Sequence, residues 1–401
     1  MRKIFAALCL ALALCTAGAA QGWQEKLDAA RGTTVRLVGW GGDPRTNAWL
    51  DGWVARRLKE LYGISFERVG MDIDDILNRL KAEKEAGRSI GSFDVVWING
   101  ENFSAAKKLG LLWGPFSEGL PNFARFIGDH PDGKLDFGTP IEGYESPYGR
   151  AQMTFYADGA VVKKLPRNSA ELLEAAKAHP GMITYPAPPD FTGSAFVRTV
   201  ICDIQGEAVL KSLSMDAREA AKILEPSMAY LRELAPYLWR QGESYPASPA
   251  QVSNMVADGE LVMGMNYTAL HAAGRIARGE FPETVRSFIF DKGTVGNTNY
   301  LAIPFNAQNR AGAQVVADFM LSPEAQISKL EPAVWGSLPV FDPAKLSPED
   351  RARLDAVDLG EASVPIAELL KRRIPEPPAD LIPVVEEVWR AEVLMKGKSA
   401  Q

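Results

Sequence analysis

Between Thr34 and Ile98 the chain switches repeatedly between strand-like and helix-like periodicity, and that alternation leaves few folds open. Thr34-Val35-Arg36-Leu37-Val38 reads as a strand, broken by Gly39-Trp40-Gly41-Gly42. Asp43-Pro44 then supplies an N-cap and a first-turn proline, which predicts a helix reaching about Tyr62. Ile64 to Val69 alternates as a second strand. Asp72 can cap a second helix, in which Ile73, Ile76, Leu77 and Leu80 share one face. Phe93 to Ile98 is an apolar run of the kind expected for a strand buried on both faces. Strand, helix, strand, helix, strand in so short a span implies a parallel sheet with right-handed crossovers.

A second unit begins near Met153. "MTFYAD" is strand-like, Asn168-Ser169 opens a helix to about Ala178, and Gly181 to Tyr185 reads as a short strand. "YPAPPDFTGSAFVR" then leads into another helix. Ser248-Pro249 starts one more, ending near Asp258-Gly259, and strands are expected over Leu261–Tyr267, Ser287–Phe290 and Asn299–Pro304. An amphipathic helix follows over Asn309–Leu321, and the tail from Ser347 is mostly helical, interrupted by Pro375, Pro377 and Pro378. At 401 residues the chain suits two lobes rather than one small core.

The first residues have a different character. Arg2-Lys3 precede an apolar run from Ile4 to Cys15, and Ala17-Gly18-Ala19 offers the small residues a signal peptidase requires. Residues 1–20 are read as a cleavable signal peptide, placing the mature protein in the periplasm. No later run is long and apolar enough to span a bilayer. Without Arg2 and Lys3, the 44 basic residues become 42 against 50 acidic ones, a net charge of −8 that argues against nucleic acid as a partner. Cys9 and Cys15 leave with the signal, so Cys202 has no internal disulfide partner.

Ligands in open α/β sheets lie beyond the carboxyl ends of the strands, which directs attention to the loops there. Trp40, Gly41, Gly42 and Asp43 follow the first strand, and Trp97, Asn99, Glu101 and Asn102 end the third. Each could serve only as turn or helix cap; together they resemble a pocket wall of aromatic faces and directed polar groups. In the second half, Asp190, Phe191, Thr192, Gly193 and Ser194 open a helix whose free N–H groups could hold an anion, or whose side chains could simply cap it. Tyr245 precedes a helix, and Asn266-Tyr267 ends a strand, with Tyr267 readable as either pocket or core.

Catalytic signatures are poor. Gly87-Arg88-Ser89-Ile90-Gly91 matches a nucleophile elbow by letters, but it follows a helix and precedes a strand, the reverse of the order an elbow requires. His130, His179 and His271 show no metal-ligand spacing. The chain reads as a binding protein, not an enzyme, with no cofactor and no metal.

"NYLAIPFNA" (Asn299 to Ala307) and "VVADFMLSPEAQ" (Val315 to Gln326) resemble periplasmic solute-binding proteins of ABC importers, in the cluster that includes polyamine, thiamine and ferric-iron binders. "WGGDP", "DVVWINGENF" and "YPAPPDFTGSAFVR" are similar, more narrowly, to its YnjB-type branch. The resemblance implies a type II periplasmic-binding-protein fold of the α/β class, with mostly parallel sheets and a hinge crossed twice. The crossings are expected near Glu142–Ala151 and Asp291–Asn299. Lobe one then comprises 21–145 and 296–345, lobe two 148–292, and 346–401 a helical tail. It further implies a monomer that captures a small solute between the lobes, with Asn299 among the site residues, and hands it to a membrane permease. Ferric binders of the cluster present adjacent tyrosines; here Asn266 stands beside Tyr267, which disfavours iron. Trp40 and Trp97 could hold a cation by cation–π attraction. An anionic end held at Thr192-Gly193-Ser194 would then favour a thiamine-like or phosphate-bearing solute. Asp43, Glu101 and Asp190 keep a polyamine open as the alternative. A solute sensor for a membrane receptor would share the fold, and a secreted hydrolase would need a nucleophile and base that the sequence does not offer.

Overall fold

The computed structural model describes residues 21–396, so the expected signal peptide, with Cys9 and Cys15, lies outside the described residues. In the first half β1 (Thr34–Gly39) passes into α1 (Pro44–Ala48), a π-helical stretch over Trp49–Val54, and α2 (Ala55–Tyr62). The helix expected from Asp43 to Tyr62 thus forms with one wider turn, in which Trp49 and Trp53 stack 5.8 Å apart. Then come β2 (Ser65–Gly70), α3 (Ile73–Glu85), β3 (Val95–Ile98), α4 (Gly100–Lys108) and the short β4 (Leu112–Trp113).

Beyond it lie β5 (Glu145–Gln152), β6 (Thr154–Asp158), α5 (Ser169–Ala178), α6 (Phe191–Gln205) and α7 (Ala217–Leu234). α8 (Pro249–Ala257), β7 (Met263–Asn266), α9 (His271–Ala277) and β8 (Val285–Phe288) complete the second half. The chain returns through β9 (Thr294–Pro304), α10 (Arg310–Met320) and α11 (Pro323–Ser328). The tail contributes β10 (Arg373–Pro375) and α12 (Ile382–Trp389).

The large sheet runs β10-β9-β3-β1-β2. β1 pairs in parallel with β2 from Thr34↔Ser65 to Gly39↔Gly70, and with β3 at Leu37↔Val95. This is the arrangement the periodicity of residues 34–98 predicts. β9 lies antiparallel to β3 and parallel to β10. It also pairs antiparallel with β5, so both expected crossings, Glu142–Ala151 and Asp291–Asn299, fall largely on this strand pair.

The α/β class and type II fold stand, but the expectation of mostly parallel sheets fails in the second half. There β8, β6 and β7 form a three-stranded antiparallel sheet. The strand expected over Gly181–Tyr185 shrinks to one parallel bridge, Ile183↔Met263. Pro180 and Pro186 flank it, and neither can donate an N–H to extend a ladder.

Two apolar cores result. One gathers Val35, Leu37, Val95, Phe103 and Phe319 with the C-terminal half of β9, Tyr300 to Ile303. The other gathers Phe155, Phe196, Val200 and Met228, together with Val385, Val388 and Trp389 of the tail. The tail therefore docks onto the second core.

Candidate functional site

The ends of β1 and β3 bring the first group of expected residues together. Trp40 is 57% exposed, with its ring folded over Gly42, where an added Cβ would lie 2.1 Å from the indole. Gly41 sits against the backbone of Gly70; a Cβ there would meet the Gly70 Cα at 3.2 Å. Trp97 is half-buried, its Cβ lying where a side chain on Gly39 would clash. Asp43 caps α1, accepting from the Arg45 N–H at 2.9 Å, and holds one edge of the Arg45 guanidinium. It is committed to structure.

Asn99 occupies the N-cap position of α4 but makes no side-chain cap. Its Nδ2 donates to Asn299 Oδ1 at 3.2 Å, so the amide faces β9. The helix start is served instead by Asp136, which accepts from the Gly100 N–H at 2.5 Å. Asp72 likewise sits at a cap position without a side-chain cap. Glu101 projects from the first turn of α4, with Asn102 half-buried beside it. Partial burial raises the Glu101 carboxyl above the usual range; the Arg198 charge opposes this and the Glu376 charge adds to it.

At the opening of α6 the structure takes the second of the two readings, the cap. Asp190 accepts from the Gly193 N–H at 2.9 Å, so a carboxylate already occupies the helix start and an anionic solute would be repelled there. Thr192 and Ser194 are buried. Ser194 Oγ accepts from Arg198 Nη1 at 2.5 Å and is hydrogen-bonded to Glu386. Gly193 admits a close neighbour, but that neighbour is protein: an added Cβ would lie 1.8 Å from the Pro186 carbonyl oxygen. The reading of Thr192-Gly193-Ser194 as an anion cradle is thereby corrected to a cap and a packing contact. Phe191 remains 43% exposed, edge-on to Tyr267 at 4.8 Å.

Tyr267 is core, 8% exposed, its hydroxyl donating to Glu376 Oε1 at 2.6 Å. Asn266 turns back to accept from the Thr268 N–H. Tyr245 packs between Tyr185 and Trp389, at 5.0 and 5.5 Å, away from the other expected residues.

Three residues that sequence reasoning passed over organise the centre. Arg198 is fully buried and grips Glu376 with two bonds of 2.8 and 2.9 Å. Arg373, three residues before Glu376, donates to Asp132 at 2.7 Å. A cation four residues beyond Ser194 in an otherwise apolar helix was the available signal for Arg198. Nothing local marks Glu376 within "IPEPP". Cavities of about 790 and 250 Å³ lie elsewhere, at Thr34, Arg36 and Asn309 and at His130 and Arg150, and none of the expected site residues lines them. Among the described residues no group of three or more His, Cys, Asp or Glu is placed to hold a metal ion, and no helix is long and apolar enough to cross a membrane. Cys202 is a buried free thiol, pushed up to about 12 by that burial.

A two-core α/β fold whose cores share β9 defines a class of protein. Residues 53–353 match the model of the bacterial extracellular solute-binding proteins, and the chain belongs to that family. Protein YnjB of Escherichia coli (strain K12) is 40% identical over 339 residues, spanning 84% of this chain and 87% of that protein. Among solved structures, the periplasmic binding protein AfuA of Actinobacillus pleuropneumoniae, with fructose-6-phosphate bound, superposes with a TM-score of 0.58 at 16% identity, covering 91% of this chain and 97% of AfuA. Iron-bound HitA of Pseudomonas aeruginosa gives 0.61 at 16%, covering 90% and 99%. The spermidine/putrescine substrate-binding protein PotD of Streptococcus pneumoniae gives 0.58 at 14%, covering 89% and 99%. At such identities these structures share the fold with this chain, and their ligands differ from one another.

Proposed function

We propose that this protein is the periplasmic solute-binding component of an ABC importer, exported by its signal peptide and acting as a monomer. Its lobes are residues 21–145 with 296–345, and residues 148–292, hinged at the paired strands β5 and β9. A small organic solute is held at the seam between them, and the closed form presents it to a permease. The observation that carries this reading is the match of residues 53–353 to the bacterial extracellular solute-binding family, on a fold whose two cores share β9.

The solute has a cationic or aromatic part. Trp40 and Phe191 leave ring surface free on the two sides, and a cation against such rings gains about 0.5–2 kcal/mol each. Of the acids considered, Asp43 is tied to Arg45 and Asp190 caps α6, while Glu376 is neutralised by Arg198. Glu101 is the carboxylate left for a guest. One available carboxylate suits a single cationic centre, as in a thiamine-like molecule, better than the several ammonium groups of a polyamine.

The test is native mass spectrometry of the protein purified from periplasm, followed by calorimetry with whatever molecule it carries. A singly cationic or aromatic solute is expected, bound more weakly by about 1–3 kcal/mol after Trp40→Ala or Phe191→Ala. A solute whose affinity is indifferent to both substitutions would overturn the site.

A further inference from the structure

Asn99 has the extended backbone of a helix-capping residue, with φ −164° and ψ 168°, and yet its side chain does not cap α4. Asparagine is among the best residues for that task, so a free amide at this position implies that another group serves the helix start. A two-stranded ribbon, Leu135–Asp136 against Thr139–Pro140, supplies it. Asp136, 2% exposed, accepts from the Gly100 N–H at 2.5 Å. Asn99 Nδ2 can then donate to Asn299 Oδ1 of β9, while half-buried Asn99 keeps its Oδ1 without a donor among the described residues.

The ribbon is built to hold Asp136 there. Its two-residue turn, Phe137-Gly138, has φ of +43° and +75°, the pair of left-handed conformations that a tight hairpin requires. Phenylalanine is an unfavourable residue for the first of these places. The packing of its ring accounts for the choice: a Cβ added to Gly100 would lie 3.3 Å from the Phe137 ring, which therefore rests against the first residue of α4. Lys107 Nζ, near the other end of α4, donates to the Pro140 carbonyl. The Tyr300 hydroxyl of β9 donates to the Leu135 carbonyl at 3.1 Å, and the Ala379 N–H of the tail to the Phe137 carbonyl at 3.2 Å. Helix, strand and tail thus fix the ribbon from three sides.

We propose that Asp136 is a positioning residue for the solute site: by serving the start of α4 in place of Asn99, it leaves the Asn99 amide facing β9 with Oδ1 open to an N–H or O–H of the solute. This rests on the solute-binding reading above and extends it, because it assigns the solute a hydrogen-bond donor beside its cationic or aromatic part. Without the Asp136 carboxyl, Asn99 can turn back to the cap its backbone favours, so the helix stays capped and the solute loses a contact. A residue that only supported the fold would lower stability and leave affinity unchanged. Burial holds the Asp136 carboxyl well above its usual range, against the opposing Gly100 N–H. An amide of the same shape keeps the acceptor, so Asp136→Asn should preserve the arrangement.

The test compares D136A, D136N, N99A and the double variant D136A/N99A in the mature chain. The side-chain amide resonance of Asn99, identified in isotope-labelled protein by its loss in N99A, is expected to shift in D136A without any solute and to stay in place in D136N. In calorimetry with thiamine as probe, D136A and N99A are each expected to bind about tenfold more weakly, the scale of one hydrogen bond. The double variant should bind no more weakly than N99A, and D136N should bind as the native protein does. If D136A does not fold, D136S, whose hydroxyl is too short to reach the Gly100 N–H, takes its place. An unmoved Asn99 amide in D136A overturns the positioning role whatever the protein binds, and so does native affinity in D136A beside a weakened N99A. A native protein that ignores thiamine while the amide shifts as expected would sink the thiamine-like solute and leave Asp136 in its role, so the two failures are distinguishable.

Discussion

Gly193 shows how one residue can be necessary for a reason other than the one its position advertises. A glycine between two hydroxyl residues at a helix start invites a ligand, yet here the backbone of Pro186 fills the space. Cap and contact belong together: Asp190 takes the Gly193 N–H, which presses the first turn of α6 onto the proline-rich approach loop. A methyl at this position has no flexible neighbour to displace, only a carbonyl. Gly193→Ala is therefore expected to destabilise the protein by about 3 kcal/mol, the upper range for overpacking. Urea unfolding of the variant would show it as a lowered midpoint at constant slope; an unchanged midpoint would return the glycine to a ligand-facing role.

At the scale of elements, what could be read from sequence was whatever local periodicity controls. β1, β2, α3 and β3 follow from alternation and from one apolar helix face, and their parallel pairing follows from the crossovers. The strand-end loops were located for the same reason, which is why Trp40 follows β1 and Asn99 and Glu101 follow β3. The strand at Gly181–Tyr185 failed because its flanking prolines outweigh its composition. The pair Arg198–Glu376 was illegible: 178 residues separate its members, and neither residue signals the other. That pair fixes β10 and the loop after it against α6, with Tyr267 as a third partner. Glu376→Ala would leave a buried guanidinium and a phenol unpaired, with an expected loss of about 3–5 kcal/mol. The double variant R198M/E376L, which removes both charges, should recover most of that loss in denaturant unfolding. A single-variant loss no larger than that of a surface ion pair would mean the pair is hydrated and loosely held.

Taken whole, the molecule is tied together by segments that serve both cores. β9 gives Val295 to the second core and Tyr300 to Ile303 to the first. The tail crosses in the same way: Arg373 holds Asp132, Ala379 donates its N–H to the Phe137 carbonyl, and Trp389 ends fully buried in the second core with its indole N–H on Tyr185. Under the closure about β5 and β9 proposed above, the tail would move with the lobes, because it is bonded to Asp132 and Phe137 at one end and to Tyr185 at the other. The tail is accordingly part of the second core's stability, not an appendage to it. Trp389→Ala is expected to cost about 3–5 kcal/mol, as for other large aromatic side chains removed from a core. Shared strands make the two cores lose structure together, so far-UV circular dichroism and tryptophan fluorescence should follow one transition, shifted to lower temperature. Two separated transitions, with Trp389→Ala moving only one, would show that β9 and the tail couple the cores less than their contacts imply, and that each lobe folds on its own account.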